Sequence, residues 1–173
     1  MDLYRLPHRL DSEAGTCRVV IESVKGKRSK YVYDIKSESF ELAGLLPEGM
    51  SFPLDYGFIP STLAEDGDPI DVLVLADEPA FAGAVLKVRL IGVFEAEQQK
   101  GKKPAVRNDR VIAVSVMSRL YGSIEGVDDL GDEFMSHLQQ FWVNYNDLKG
   151  RSFEITGVKG AKRACRLIEK QSV

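Results

Sequence analysis

Three aspartates, Asp66, Asp68 and Asp71, stand within the run Asp66-Gly67-Asp68-Pro69-Ile70-Asp71, directly after Glu65. Anionic side chains this close repel, and each resists ionising beside the others. A bound cation reverses that penalty, and aspartate oxygens are hard ligands suited to Mg2+ or Mn2+. Gly67 permits a tight turn, Pro69 stiffens its exit, and Asp71 enters the apolar run Ile70 to Leu75. A solvated acidic turn would use the same residue types, because Asp, Gly and Pro all favour turns. A calcium-binding EF-hand loop does not fit. Its glycine should come after the third acidic ligand, and a glutamate should close it at fixed spacing.

The elements that must position this cluster read as strands first and helices late. Arg18 to Val24, with its run Val19-Val20-Ile21, and Tyr31 to Ile35 are expected to pair as a hairpin across the polar turn at Gly26. Positions 45–69 hold Pro47, Gly49, Pro53, Gly57, Pro60, Gly67 and Pro69. So many breakers predict a long irregular passage with at most short extended pieces, and such loops often carry function. Ile70 to Leu75 reads as a buried strand, Ala84 to Phe94 as a long strand with a bulge at Gly92, and Arg110 to Val116 as another. The lysine-rich stretch Gly101 to Asn108 between them reads as an exposed hairpin loop. Asp128 and Asp129 are candidate caps for a helix carrying Phe134, Leu138, Phe141, Trp142 and Tyr145 and ending near Gly150. Ser152 to Val158 returns as a strand, and Ala161 to Lys170 closes as an amphipathic helix. The order predicts a mainly β, α+β domain: a small barrel or curled sheet with helices packed outside.

The whole chain, 1–173, fits one domain. Hydrophobic residues make up 44%, enough for a core, and charged residues 28%. A net charge of −3 disfavours nucleic acid as the main partner, although Lys100, Lys102, Lys103, Arg107 and Arg110 could meet a local anion. Cys17 and Cys165 form no CxxC pair, which points to a reducing, cytoplasmic setting. No run suits a signal peptide or a membrane span. His8 and His137 lack ligand spacing with each other.

Around the acidic run stand Phe52-Pro53-Leu54-Asp55-Tyr56-Gly57-Phe58-Ile59-Pro60, Val19-Val20-Ile21-Glu22, Ser29-Lys30-Tyr31 and Asn144-Tyr145-Asn146-Asp147-Leu148-Lys149. In this order and spacing they resemble the soluble family I inorganic pyrophosphatases, whose signature looks like the Asp-Gly-Asp-Pro-Ile-Asp-Val stretch here. The resemblance runs from about Arg18 to Gly160. It implies a five-stranded, OB-like barrel with flanking helices, and hydrolysis of pyrophosphate to two phosphates with Mg2+, or alternatively Mn2+ or Zn2+. It also implies a cytoplasmic homo-oligomer; bacterial members of this length are commonly hexamers. By the same resemblance Asp66 and Asp71 would hold the metal pair, Asp68 would act as general base, and Glu22 would help a further metal. Lys30, Tyr56, Tyr145 and Arg110 would contact phosphate oxygens. Each also has a structural role open to it: Glu22 on an edge strand, Lys30 on the surface, and both tyrosines as core rings with satisfied hydroxyls.

Several family positions are altered. Val32 stands where a glutamate follows Lys30, and Gly44 where a phosphate-clamping arginine precedes Tyr56; no Lys or Arg occurs between Lys36 and Lys87. Gln98 and Asn108 stand for two metal-binding aspartates, Arg110 for a lysine, and Asn146 for the lysine after the helix tyrosine. A slip of one position would instead bring in Glu97 and Asp109. Losing one charge-stabilising donor typically slows a reaction roughly 10²–10³-fold, so attenuated turnover is expected. The competing readings are a retired enzyme that binds phosphate compounds or a partner, and a hydrolase of a different phosphoanhydride.

Overall fold

The computed structural model describes residues 2–173. Among them, nine strands and two α-helices form: β1 (Thr16–Ser23), β2 (Ser29–Asp34), β3 (Ser39–Leu45), β4 (Asp55–Ile59), β5 (Ile70–Leu75), β6 (Val85–Lys100), β7 (Val106–Arg107), β8 (Arg110–Ser115), α1 (Asp132–Asp147), β9 (Arg151–Gly160) and α2 (Ala161–Gln171). Five strands close a ring. Antiparallel pairs join β1 to β4, β4 to β5, β8 to β6 and β6 back to β1, and β5 runs parallel to β8. This is the five-stranded, OB-like arrangement with helices outside that the family resemblance implies.

The length of β6 makes the closure possible. Its start pairs with β1 from Val85 to Arg89, and its middle pairs with β8 from Val88 to Phe94. From Gly92 onward it also pairs with β9. The register shifts between Leu90 and Gly92, the bulge expected at that glycine. A Cβ on Gly92 would lie 2.4 Å from Val127 Cγ1 and 2.6 Å from the Lys159 carbonyl oxygen, so no other residue fits where β6 changes partners.

Both faces of the ring are covered. Val72 and Val74 of β5 pack with Ile21, Leu90 and the α2 residues Ala164, Leu167 and Ile168. Their neighbours Leu73 and Leu75 pack on the opposite face with Ile112, Phe94 and the α1 residues Met135, Leu138 and Trp142. Burial on two faces explains the unbroken apolar run Val72 to Leu75 in this strand.

Three local expectations are corrected. β1 and β2 are not a hairpin; β2 pairs with β3, from Ser29 opposite Leu45 to Asp34 opposite Ser39. Both edges of β1 are taken by β4 and β6, so β2 is fastened to it by side chains instead. The Glu22 carboxylate accepts the Tyr33 amide at 2.7 Å, and the buried Ser23 hydroxyl accepts the Tyr31 amide at 3.1 Å. β3 itself lies in a stretch left unassigned, because most of its residues face outward. Asp128 and Asp129 sit in a 3-10 turn, Val127–Leu130, rather than capping α1, whose N-cap is Gly131. Asp129 accepts the amides of Glu125 (2.8 Å) and Gly126 (3.1 Å) ahead of that turn.

Candidate active site

The acidic loop is a pinned turn. Thr62 Oγ1 donates to the Ile59 carbonyl at 2.6 Å and accepts the Ile70 amide at 3.0 Å, which ties the end of β4 to the start of β5. Gly67, at φ +93°, lets the chain reverse. Asp66 Oδ1 accepts the Asp68 amide at 3.2 Å, and both carboxylates are exposed. Asp71, second residue of β5, is half-buried below them. Its Oδ1 accepts from the Tyr56 hydroxyl at 2.6 Å, and its Oδ2 accepts from the Arg110 guanidinium. The ladder places these groups together, since Arg110 opens β8 directly opposite Asp71.

Arg110 is only 3% exposed. Its guanidinium lies 4.6 Å from the Trp142 ring centroid and 5.1 Å from that of Phe153, an arrangement suited to a weakly hydrated planar cation. Its charge faces Asp71, and its Nε has no hydrogen-bond partner among the described residues. Beside it Asn108 Nδ2 donates to Gln98 Oε1 at 3.0 Å. Asp109 points to the opposite face, where it accepts the Ala96 amide (3.0 Å) and pairs with Arg107 (2.9 Å). Glu97 is exposed and away from the cavity. Neutral amides thus face the site, and the two nearby acids do not.

These residues line a cavity of about 440 Å³. Its acidic lining is Glu65, Asp66, Asp68 and Asp71; its basic lining is Lys30, Lys100, Lys103, Arg110 and Arg151. Tyr56, Tyr145 and Asn146 complete it. A second cavity of about 280 Å³ adjoins it and shares Lys30, Tyr56, Asp68 and Asp71, adding Glu22, Val32 and Tyr33. A larger cavity, about 610 Å³, lies elsewhere, between the Ser12 to Gly15 loop and α2, and contains none of the aspartates above.

Glu22 is 7% exposed, and burial pushes its carboxyl up to about 7; the Tyr33 amide and Lys30 pull the other way. Burial also raises the Tyr56 phenol, outweighing the attraction of Arg110. Burial raises the Tyr145 phenol as well, but there Lys30 and Lys149 prevail and hold it below its ordinary value. Gly44 lies opposite Lys30 in the β2–β3 ladder, and a Cβ on it would meet nothing within 4 Å. Asn146, 1% exposed, donates its amide to the Trp142 carbonyl at 2.9 Å.

All eight candidate residues, Glu22, Lys30, Tyr56, Asp66, Asp68, Asp71, Arg110 and Tyr145, line one or both of the adjoining cavities. Of the basic cluster, Lys100, Lys103 and Arg110 reach the larger one, whereas Arg107 turns to Glu95 and Asp109. Arg151, the first residue of β9, also lines the larger cavity, and no motif in the sequence marks it. The buried Asp55 of the aromatic motif is structural, accepting the amides of Lys25 and Ala80, each at 2.9 Å.

Glu65, Asp66, Asp68 and Asp71, with Glu22 on the adjoining cavity, are the oxygen donors available to a hard cation. Among the described residues no three such groups converge on one point, because Asp71 is turned to Tyr56 and Arg110. Mg2+ still suits the donor set, since it commonly keeps several waters and takes only one or two carboxylates plus phosphate oxygens.

An "Inorganic pyrophosphatase" family model matches residues 19–172. The chain is 33% identical over 170 residues to the inorganic pyrophosphatase of Synechocystis sp., covering 98% of this chain and 96% of that protein. Among solved structures, the inorganic pyrophosphatase from Thermus thermophilus superposes with a TM-score of 0.87 at 34% identity, covering 98% and 95% of the two chains. The one from Neisseria gonorrhoeae gives 0.87 at 28% identity, covering 98% and 96%.

Proposed function

Because the chain belongs to the inorganic pyrophosphatase family, we propose that it hydrolyses inorganic pyrophosphate to two phosphates at the cavity shared by Asp68, Asp71, Lys30 and Tyr56. The observation that carries this reading is the cavity itself: four carboxylates and five ammonium or guanidinium groups line it together with two phenols. A phosphoanhydride with its divalent cations carries both signs of charge and matches such a surface. Asp66, Asp68 and Asp71, with Glu22 on the adjoining cavity, would hold Mg2+, or Mn2+ or Zn2+. Once bound, the ion neutralises phosphate charge and makes a nearby water more acidic.

The chain's own groups supply the rest. Asp68, exposed at the loop tip, takes the proton of the attacking water. The water oxygen bonds to one phosphorus as the bridging oxygen leaves with the second phosphate. Lys30 and Tyr145 bind phosphate oxygens, and Arg110 steadies Asp71 while facing the same cavity. Turnover should be attenuated, since Gly44, Gln98 and Asn108 supply no charge where the family has it. The closed Asp71–Arg110 pair and the Asn108–Gln98 amide pair favour a second reading, phosphate binding with little turnover.

Phosphate release from pyrophosphate with each metal separates the two. The hydrolase reading expects release above background that falls at least 10²-fold in Asp68→Asn; an Asp68→Asn protein as active as its parent rules it out. Self-association belongs to the same reading. Phe81, Met117 and Leu120 leave apolar side chains exposed, and sedimentation of the purified chain measures it. A cytoplasmic setting is also part of it: Cys17 and Cys165 are free thiols, and no helix is long and apolar enough to cross a membrane among the described residues.

A further inference from the structure

Tyr145 sits near the end of α1, with its ring buried and its edge on the larger cavity. The Lys30 ammonium, from β2, lies 5.6 Å from its ring centroid, and the Lys149 ammonium lies 4.7 Å from it. Lys149 follows the last turn of the helix; its amide donates to the Asn146 carbonyl at 2.9 Å, which curls the chain back and returns the side chain over Tyr145. Among the described residues neither ammonium is within ion-pair distance of a carboxylate. Two cations are therefore gathered on one phenol with no anion between them. Such an arrangement is unfavourable alone and favourable once an anion joins it.

The residue after Tyr145 does not fill that role. Asn146 is uncharged, and its amide is bonded to Trp142. We propose that Lys149 is a phosphate-binding residue of this site, forming with Lys30 and the Tyr145 hydroxyl a three-donor clamp for one terminal phosphate group. A tetrahedral phosphate end presents three oxygens, and two ammoniums and a hydroxyl are point donors that can each take one. The lowered Tyr145 phenol accords with this, since the same two cations favour negative charge at its oxygen. The clamp rests on the pyrophosphatase reading only for the identity of the full substrate; its own ligand is the phosphate group.

Calorimetric titration of inorganic phosphate into the full chain, with and without Mg2+, tests the clamp. Lys149 is exposed, so Lys149→Ala should fold, which circular dichroism checks. That variant should bind phosphate roughly tenfold more weakly, and Lys149→Arg, which keeps the charge, should stay within about threefold of the parent. Parental affinity in Lys149→Ala, equal losses in both variants, or no phosphate binding by the parent would each overturn the proposal. Hydrolysis of pyrophosphate is assayed in parallel. Lys149-dependent phosphate binding without hydrolysis upholds the clamp and ends the enzymatic reading; hydrolysis indifferent to Lys149→Ala, with parental phosphate affinity, does the reverse.

Discussion

At the scale of single residues, the site combines charges that burial makes costly with positions from which charge is missing. Glu22 shows the first. Its folded pKa, about 7, lies above the ordinary value of 4.5, so the folded protein holds the proton more tightly than the unfolded chain. This contribution to stability is fully present below about pH 4.5 and is lost as pH rises through 7. The span corresponds to on the order of 3 kcal/mol. Glu22→Gln keeps the carbonyl that accepts the Tyr33 amide and removes the titration. In metal-free urea unfolding it should gain on the parent between pH 5 and pH 8; a gap that does not change with pH would contradict this origin. Gly44 shows the second. The space at its Cβ is open and lies opposite Lys30, so Gly44→Arg should fold and restore a cation to the phosphate side. A kcat/KM for pyrophosphate higher by about tenfold or more is expected, given that a lost donor of this kind costs roughly 10²–10³. No gain would mean that other cations already serve the substrate.

At the scale of elements, the site depends on how closely strands approach. Asp71 can meet both Tyr56 and Arg110 only because β5 lies between β4 and β8 in fixed register. Gly57 sets how closely β4, which carries Tyr56, approaches β1. A Cβ there would sit 1.9 Å from the Val20 carbonyl oxygen and 2.8 Å from Ile21 Cα, both backbone atoms that have no side-chain freedom to yield. Gly57→Ala should lower unfolding free energy by about 1–3 kcal/mol or more, read as an earlier urea midpoint, and should loosen Tyr56 from Asp71. A parental midpoint would show that β1 and β4 can part without penalty. The β2–β3 pair is a different kind of element, fastened to β1 by the Glu22 and Ser23 side chains. It carries Lys30, Val32 and Gly44 together, so on the proposed reading changes in it would alter the phosphate contacts while leaving the ring intact.

At the scale of the whole molecule, the strand ring and its two helices bring a mobile charge problem to one place. Four carboxylates share the larger cavity with five cationic side chains, and on the proposed reading the exposed aspartates of the loop tip would hold a divalent ion. A ligand that binds only the folded state stabilises it, by about 2.7 kcal/mol at a hundredfold excess over its Kd. Saturating Mg2+ should therefore raise the melting temperature at neutral pH, and a chelator should reverse the rise. An Asp66→Asn, Asp68→Asn double variant should lose most of the effect. Equal metal-induced shifts in parent and double variant would place the ion elsewhere.

The amino-acid order by itself determined the tight acidic turn, the buried run of β5, the bulge glycine of β6 and the aromatic stripe of α1, because each follows from local conformational preference or from a repeat in apolar residues. It also carried the family likeness, and with it the residues that line the cavity. Tertiary structure alone decided which side of an element faces that cavity. Gln98 and Asn108 face it while Glu97 and Asp109 do not. That choice depends on the phase of a long strand whose register shifts at Glu95/Ala96 against β9, and successive strand residues point to opposite faces. The same holds for β2, which could not pair with β1 once ring closure had taken both of that strand's edges. It holds too for Arg110, whose charge is committed to Asp71 by the parallel β5–β8 ladder. Lys149 reaches Tyr145 through the curl at the helix end. Pairings and approaches between distant segments arise from closing the whole chain on itself, and no local window of residues contains them.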